Sequence, residues 1–174
     1  MESTIKKLIS KEQIDQRLEE LANEIDRDYK GKEIIAIIVL KGAAFFGIEL
    51  SLKLKSNVQF EFVKISSYLG TESTGKINNE LDIDESKVNG KDLLIIEDIV
   101  DTGTSMDYLI KHLSNKNPKS LKVCSLLSKP SRRKVNVHID YLGFEVPNKF
   151  IVGYGFDDEK GLNRNLPFIG YKEV

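Results

Sequence analysis

Tryptophan is absent from this 174-residue chain, and cysteine occurs once, as Cys124. A lone cysteine excludes an internal disulfide and any multi-cysteine metal site. An excess of one charge is missing too. Lys and Arg number 26 against 27 Asp and Glu, a net charge of −1, which speaks against nucleic-acid or anionic-membrane binding driven by bulk charge. Long apolar runs are also missing: the longest, Ile34 to Leu40, has seven residues and is too short to span a bilayer. The first residues carry Glu2, Lys6 and Lys7 with no long apolar segment, so they do not read as a secretory leader. The expected address is the cytoplasm. No repeat, low-complexity stretch or Pro/Gly/Ser-rich linker divides the chain, and its size suits one domain over 1–174.

What is present is 40% hydrophobic and 30% charged residues, enough apolar material for a sizeable core. Ile14, Leu18, Leu21 and Ile25 recur at helical spacing, and Ser10-x-x-Gln13 before them has the form of a capping box. Gly31 is a stop signal. Glu33 to Leu40 is short, β-branched and continuously apolar, which suits a strand buried on both faces. Lys41-Gly42 breaks it, and Ala43 to Leu54 reads as a second helix. Val58 to Ser66 reads as a strand. Ser67 to Asn79 (SYLGTESTGKINN) has no core pattern, and a loop of that length is usually functional. Leu93 to Ile96 is another buried strand, followed by EDIVDTGTS and a helix through Met106, Leu109, Ile110 and Leu113. Leu121 to Leu127 is a strand, and shorter strand signals lie at Val135 to Ile139 and Phe150 to Tyr154. Strands alternating with helices indicate an α/β fold with a mostly parallel sheet, whose ligands bind at the carboxyl ends of the strands.

The segment Leu93 to Ser105 carries the most chemistry. Glu97 and Asp98 stand where a buried strand surfaces, and Asp101-Thr102-Gly103-Thr104-Ser105 forms the turn into a helix. Successive backbone N–H groups, a glycine allowing close approach and several hydroxyls make a phosphate cradle at a helix N-terminus. Three carboxylates beside a phosphate become reasonable once a sugar and a cation are added, since acids can hold ribose hydroxyls and Mg²⁺. The plainer alternative is that Asp101 or Thr102 caps the helix and the acids complement its dipole.

EDIVDTG after an apolar strand resembles the signature of the type I phosphoribosyltransferases, enzymes that use phosphoribosyl pyrophosphate and Mg²⁺. Further segments are similar, in unbroken order over about residues 5 to 170, to the hypoxanthine-guanine phosphoribosyltransferases within that family. Leu40-Lys41-Gly42 resembles their pyrophosphate loop, and Ser67-Tyr68 with GTESTG resembles their mobile lid (about 67–79). Ser128-Lys129-Pro130 matches the position of their purine-contacting lysine. Lys149 to Gly155 with Asp157, then Arg164-Asn165-Leu166-Pro167, matches their C-terminal purine hood (about 129–170). The resemblance implies a type I phosphoribosyltransferase fold: a mostly parallel twisted sheet flanked by helices, with a small C-terminal hood over the purine site.

It also implies roles. Asp101 would be the general base, taking the purine N7 proton as N9 attacks the ribose. Glu97 and Asp98 would hold the ribose hydroxyls, directly or through Mg²⁺, and Thr102, Gly103, Thr104 and Ser105 would bind the 5′-phosphate. Lys41 and Gly42 would present N–H groups to pyrophosphate through a strained or cis peptide, and Arg164 would add charge there. Ser67 and Tyr68 of the lid would close near the leaving group. Lys129 would donate to the 6-oxo group, favouring 6-oxopurines over adenine. Phe150 would stack on the base, Ile151 would read its edge through the backbone, and Asp157 would hold a second Mg²⁺. The expected activity is purine salvage, making IMP or GMP and pyrophosphate from hypoxanthine or guanine. A homodimer or homotetramer is implied, with no nucleic-acid or membrane partner. A non-catalytic nucleotide-sensing regulator on the same fold and a xanthine-preferring sister enzyme are the alternatives.

Some residues depart from the pattern or carry little. Asp157 to Arg164 (DDEKGLNR) is one residue longer than the common form, and Asp158 stands where an aromatic is frequent, so Lys160 is an alternative to Arg164. His112 and His138 lack neighbouring ligands for a metal. Cys124 reads as buried packing. Gly153-Tyr154-Gly155 lacks the third glycine of a dinucleotide fingerprint, and no GxxxxGK[ST] exists. Asp82, Asp84 and Glu85 read as a solvated loop.

Overall fold

The computed structural model describes residues 4–65 and 83–173. The expected lid, with Ser67 and Tyr68, lies outside the described residues. In chain order the elements are β1 (Ile5–Ile9), α1 (Lys11–Asp28), β2 (Glu33–Leu40), α2 (Ala44–Lys53), β3 (Asn57–Lys64), β4 (Asp92–Val100), α3 (Thr104–Ser114), β5 (Ser120–Ser128), β6 (Tyr141–Glu145), β7 (Ile151–Val152) and β8 (Ile169–Lys172). Single 3-10 turns occupy Glu85–Lys87 and Pro130–Arg132.

The expected capping box forms. The Ser10 hydroxyl accepts from Gln13 N–H, and the Gln13 side chain accepts from Ser10 N–H. Five strands then make one parallel sheet in the order β3-β2-β4-β5-β6. Alternate residues of β2 feed two separate cores. Ile34, Ala36 and Ile38 pack with α1 and α2 on one face, and Ile35, Ile37 and Val39 pack with α3 on the other. Cover on both faces is why β2 and β4 are apolar without alternation.

The chain steps from β2 outward to β3, then back across to β4 on the other side. The carboxyl ends of β2 and β4 therefore flank the switch point, where open parallel sheets leave a crevice. A second sheet, β1-β8-β7, is antiparallel and sits in the α1–α2 core through Ile9, Ile151 and Ile169. This second sheet thus joins both ends of the chain, with β1 beside elements that follow residue 150. IKKLI is too short and too charged to have advertised β1.

Two expectations need correction. Val135 to Ile139 is not a strand. Its half-buried alternation is real, but Lys134 and Val135 donate their N–H groups to the Thr102 carbonyl at 2.8 and 3.0 Å, and Val137 packs on the α3-side core. The ladder resumes at Tyr141, after Asp140 N–H bonds the Val123 carbonyl and the Asp140 carboxylate takes Val123 N–H at 2.8 Å. The strand expected from Val58 to Ser66 is present as Asn57–Lys64, one residue earlier at its start, and Ser66 lies outside the described residues. Of the acidic group, Asp84 is not merely solvated: its carboxylate caps the 85–87 turn through Ser86 N–H at 2.9 Å. Asp82 lies outside the described residues. Cys124 is fully buried in β5, as packing.

Candidate active site

β4 carries its acids to the rim of the sheet. Glu97 is buried there, and its carboxylate takes the N–H of Asp98 at 2.8 Å, while Asp98 takes that of Ile99 at 2.6 Å. Burial pushes both carboxyls up, and for Glu97 the neighbouring Asp98 charge adds to the effect. The guanidinium of Arg164 opposes the rise at Asp98. Two acids held this dry and this close attract a cation or a hydroxyl donor.

The loop after β2 presses directly on them. A Cβ on Gly42 would fall 1.6 Å from Asp98 Oδ2, so only glycine admits that carboxylate. The Leu40–Lys41 peptide is cis, Gly42 is buried, and the Lys41 side chain is exposed. Gly155, with φ of +101°, closes on the same loop, since a Cβ there would lie 2.2 Å from the Gly42 carbonyl oxygen. The β2 loop therefore touches the β4 acids on one side and the Gly155 segment on the other.

Beyond β4, Gly103 takes φ of +87° and is the N-cap of α3, with no side chain to satisfy the first helical N–H groups. A Cβ on it would meet the Val135 carbonyl at 2.3 Å. Thr102 and Thr104 place their hydroxyls 3.3 Å apart. Glu97, Asp101, Thr102, Gly103 and Ser105 line a small cavity of about 80 Å³ at this helix end, a place suited to an anion. Arg133 braces it from behind, bonding Ser128 Oγ at 2.7 Å.

A larger cleft of about 740 Å³ opens beside it, lined by Asp101, Lys129, Phe150, Ile151 and Asp157 among others. Lys129 is buried at the end of β5 and donates to the Lys149 carbonyl at 2.7 Å. Burial holds its ammonium below the ordinary lysine value, against the pull of Asp101. Phe150 is exposed and stands over the cleft, and Ile151 is buried in β7, opposite Tyr171 of β8. Asp101 lines both hollows.

In the long 157–164 loop, Arg164 bonds the Asp157 carboxylate at 2.7 Å and the Gly155 carbonyl, whereas the Lys160 side chain is exposed. The fold thus brings Asp157 and Arg164 together despite the extra residue. Two residues at the site escaped sequence reasoning. Arg132 pairs with Asp101 at 2.7 Å, though its spacing three residues after Lys129 was a usable signal. Asp158 is buried and takes N–H groups from Lys160, Leu162 and the Asn163 side chain, plus the Lys172 ammonium at 3.0 Å. Among the described residues no three potential ligands cluster as a ready-made metal site, and no helix is long and apolar enough to cross a membrane.

Comparisons with known proteins point to one family. Residues 6–159 match the phosphoribosyl transferase domain family. The chain is 42% identical over 170 residues to a hypoxanthine-guanine phosphoribosyltransferase of Mycobacterium tuberculosis, covering 94% of this chain and 83% of the relative. It is 42% identical over 173 residues to a hypoxanthine phosphoribosyltransferase of Buchnera aphidicola, covering 98% and 97%. A crystal structure of a hypoxanthine-guanine phosphoribosyltransferase from Bacillus anthracis superposes with a TM-score of 0.90 at 42% identity, covering 99% of each chain.

Two outcomes are expected of the site's packing. Gly42→Ala should drive the Asp98 carboxylate off Ile99 N–H, and a crystal structure of that variant with Asp98 unmoved would contradict the close approach. The Asp158 carboxyl is held down to about 2 from its ordinary 3.8, chiefly by Leu162 N–H and then by Lys172. A carboxyl whose folded value is depressed contributes its stability in full above the unfolded value and loses it as pH falls toward the folded one. Urea unfolding at a series of pH values should therefore find Asp158→Asn less stable near neutrality. The gap to the parent should close between about pH 4 and 2.

Proposed function

The chain belongs to the phosphoribosyltransferase family, and on that premise we propose that it makes IMP or GMP, with pyrophosphate, from hypoxanthine or guanine and 5-phosphoribosyl 1-pyrophosphate. The observation that carries this reading is the place of Asp101, on the wall shared by a cleft roomy enough for a purine and a small cavity at a helix N-terminus. A group placed there reaches the joint between base and sugar.

In this reading purine N9 bonds to ribose C1′ while the C1′–oxygen bond to pyrophosphate breaks. The leaving group departs with the electron pair. The N7 proton goes to Asp101, whose carboxylate also faces the positive charge growing on the sugar. Lys129 gives the 6-oxo group a donor that adenine cannot match. Phe150 supplies the stacking face and Ile151 the backbone edge. Residues 102–105 bind the 5′-phosphate, and Lys41, Gly42 and Arg164 receive the pyrophosphate.

The acids fit Mg²⁺. Glu97 and Asp98 are buried hard-oxygen donors whose mutual repulsion a cation would relieve, and Asp157 supplies a third carboxylate at the cleft. Mg²⁺ is commonly held by one or two carboxylates plus substrate oxygens, which suits a site with no complete protein cage. When bound, it supplies positive charge to the ribose and pyrophosphate oxygens. A reducing cytoplasm suits a chain whose single thiol is buried and pushed up by that burial.

We also propose that the chain works as a homodimer or homotetramer. Five of the seven exposed large apolar side chains among the described residues are Phe45, Ile48 and Leu52 on α2 and Phe60 and Phe62 on β3. The three on α2 share one helix face by their spacing. Phe60 and Phe62 follow Val58 in period 2, and Val58 packs on the α1–α2 side of the sheet. A single apolar surface on consecutive elements, next to the Gly42 loop, fits an isologous contact with a second copy.

A steady-state assay with Mg²⁺ and phosphoribosyl pyrophosphate should turn over hypoxanthine or guanine and leave adenine inert. Asp101→Asn should slow the forward reaction roughly 10²–10⁴-fold while keeping nucleotide binding. Turnover of adenine alone would sink this assignment, and a near-normal rate in the variant would remove Asp101 from the mechanism. Sedimentation should find more than one chain per particle, with Leu52→Glu shifting it toward single chains. A parent protein that sediments as a monomer at assay concentration would remove the oligomer.

A further inference from the structure

We propose that Arg132 is a positioning residue for Asp101, holding its carboxylate away from Lys129 so that both stay available to the purine. The inference rests on the reading of Asp101 as the general base. Arg132 Nε donates to Asp101 Oδ1 at 2.7 Å and is the one hydrogen-bonding partner of that carboxylate among the described residues. The contact engages one oxygen and leaves Oδ2 for the N7 proton.

The support is built into the chain. Pro130 opens the 3-10 turn directly after Lys129, and Arg132 N–H closes it on the Lys129 carbonyl at 3.1 Å. One short turn therefore presents both cations to the cleft at fixed spacing. The charges feel one another: Asp101 favours the Lys129 ammonium and Arg132 disfavours it, against the larger effect of burial. Without Arg132, the cation left on the same cleft wall and felt by Asp101 is Lys129. A direct Asp101–Lys129 pair would neutralise the base and occupy the 6-oxo donor in one contact. Asp157, Asp158, Glu159 and Lys149 also face the cleft, but Asp157 is bonded to Arg164, Asp158 and Glu159 to Lys172, and the Lys149 ammonium lies over the Tyr171 ring.

Both members of the Arg132–Asp101 pair are well exposed. Exposed pairs contribute little to folding, so the variants should fold and melt like the parent. Arg132→Gln is expected to lower kcat/KM for the purine by roughly ten- to a hundredfold, with the KM for phosphoribosyl pyrophosphate changed less than about twofold. Arg132→Lys, which keeps the charge without the planar fork, should recover part of the loss. Equal purine kcat/KM in Arg132→Gln and parent, or a matching rise in the phosphoribosyl pyrophosphate KM, would overturn the proposal. Asp101→Asn in parallel separates the two ideas. A slow Asp101→Asn beside a normal Arg132→Gln rejects the role of Arg132 alone, and a normal Asp101→Asn rejects the general base and Arg132 with it.

Discussion

The Asp98 carboxylate lies so close to Gly42 that no side chain fits between them, and the site is assembled around that contact. It joins the ends of β2 and β4 at the point where the sheet changes direction. Gly155 then closes on the Gly42 carbonyl and brings the hood against both. Each approach is short enough to need a glycine, and each draws its partner from a different part of the chain. The doubly covered sheet supplies the rigidity: β2 and β4 are buried on both faces, so their carboxyl ends have little freedom to separate.

Charge at this rim is organised by burial and pairing. Glu97 is buried with Asp98 beside it, and among the described residues neither forms an ion pair, although Arg164 acts on Asp98, so a bound cation would ease holding them. The acids farther out are different. Asp101, Asp157 and Asp158 each have a cation, in Arg132, Arg164 and Lys172. A gradient results, from acids without an ion pair at the sheet rim to ion-paired ones around the larger cleft. An anionic sugar phosphate with its cation fits the inner part, and a neutral heterocycle fits the outer part.

Much of this was legible in the sequence where local pattern and chemistry coincide. EIIAIIVL could hardly be anything but a doubly buried strand, and EDIVDTGTS announced both an acid rim and an anion turn. The capping box at Ser10 was readable because its two bonds are local. The failures are non-local. β1 is a strand because it pairs with β8 across the length of the chain, and β8 lies between β1 and β7. Val135 to Ile139 has strand alternation, yet its backbone is spent on the Thr102 carbonyl. Arg132 carries no motif of its own, and only the fold places it on Asp101.

The longer loop after Asp157 shows how a departure in sequence is absorbed. An added residue lengthens the reach from Asp157 to Arg164, and unorganised slack would let the guanidinium drift. Asp158 removes the slack. Its two oxygens gather N–H groups from Lys160 and Leu162, the Asn163 amide and the Lys172 ammonium, which folds the extra length into a tight turn against β8. Where the family often has an aromatic, this carboxylate bonds four donors instead, and they outweigh its desolvation. The consequence appears two bonds away. Arg164 meets Asp157 and the Gly155 carbonyl, with Lys160 left in solvent. The same Gly155 touches the Gly42 loop, so the anchored turn is tied through its backbone to the contact on which the rest of the site depends.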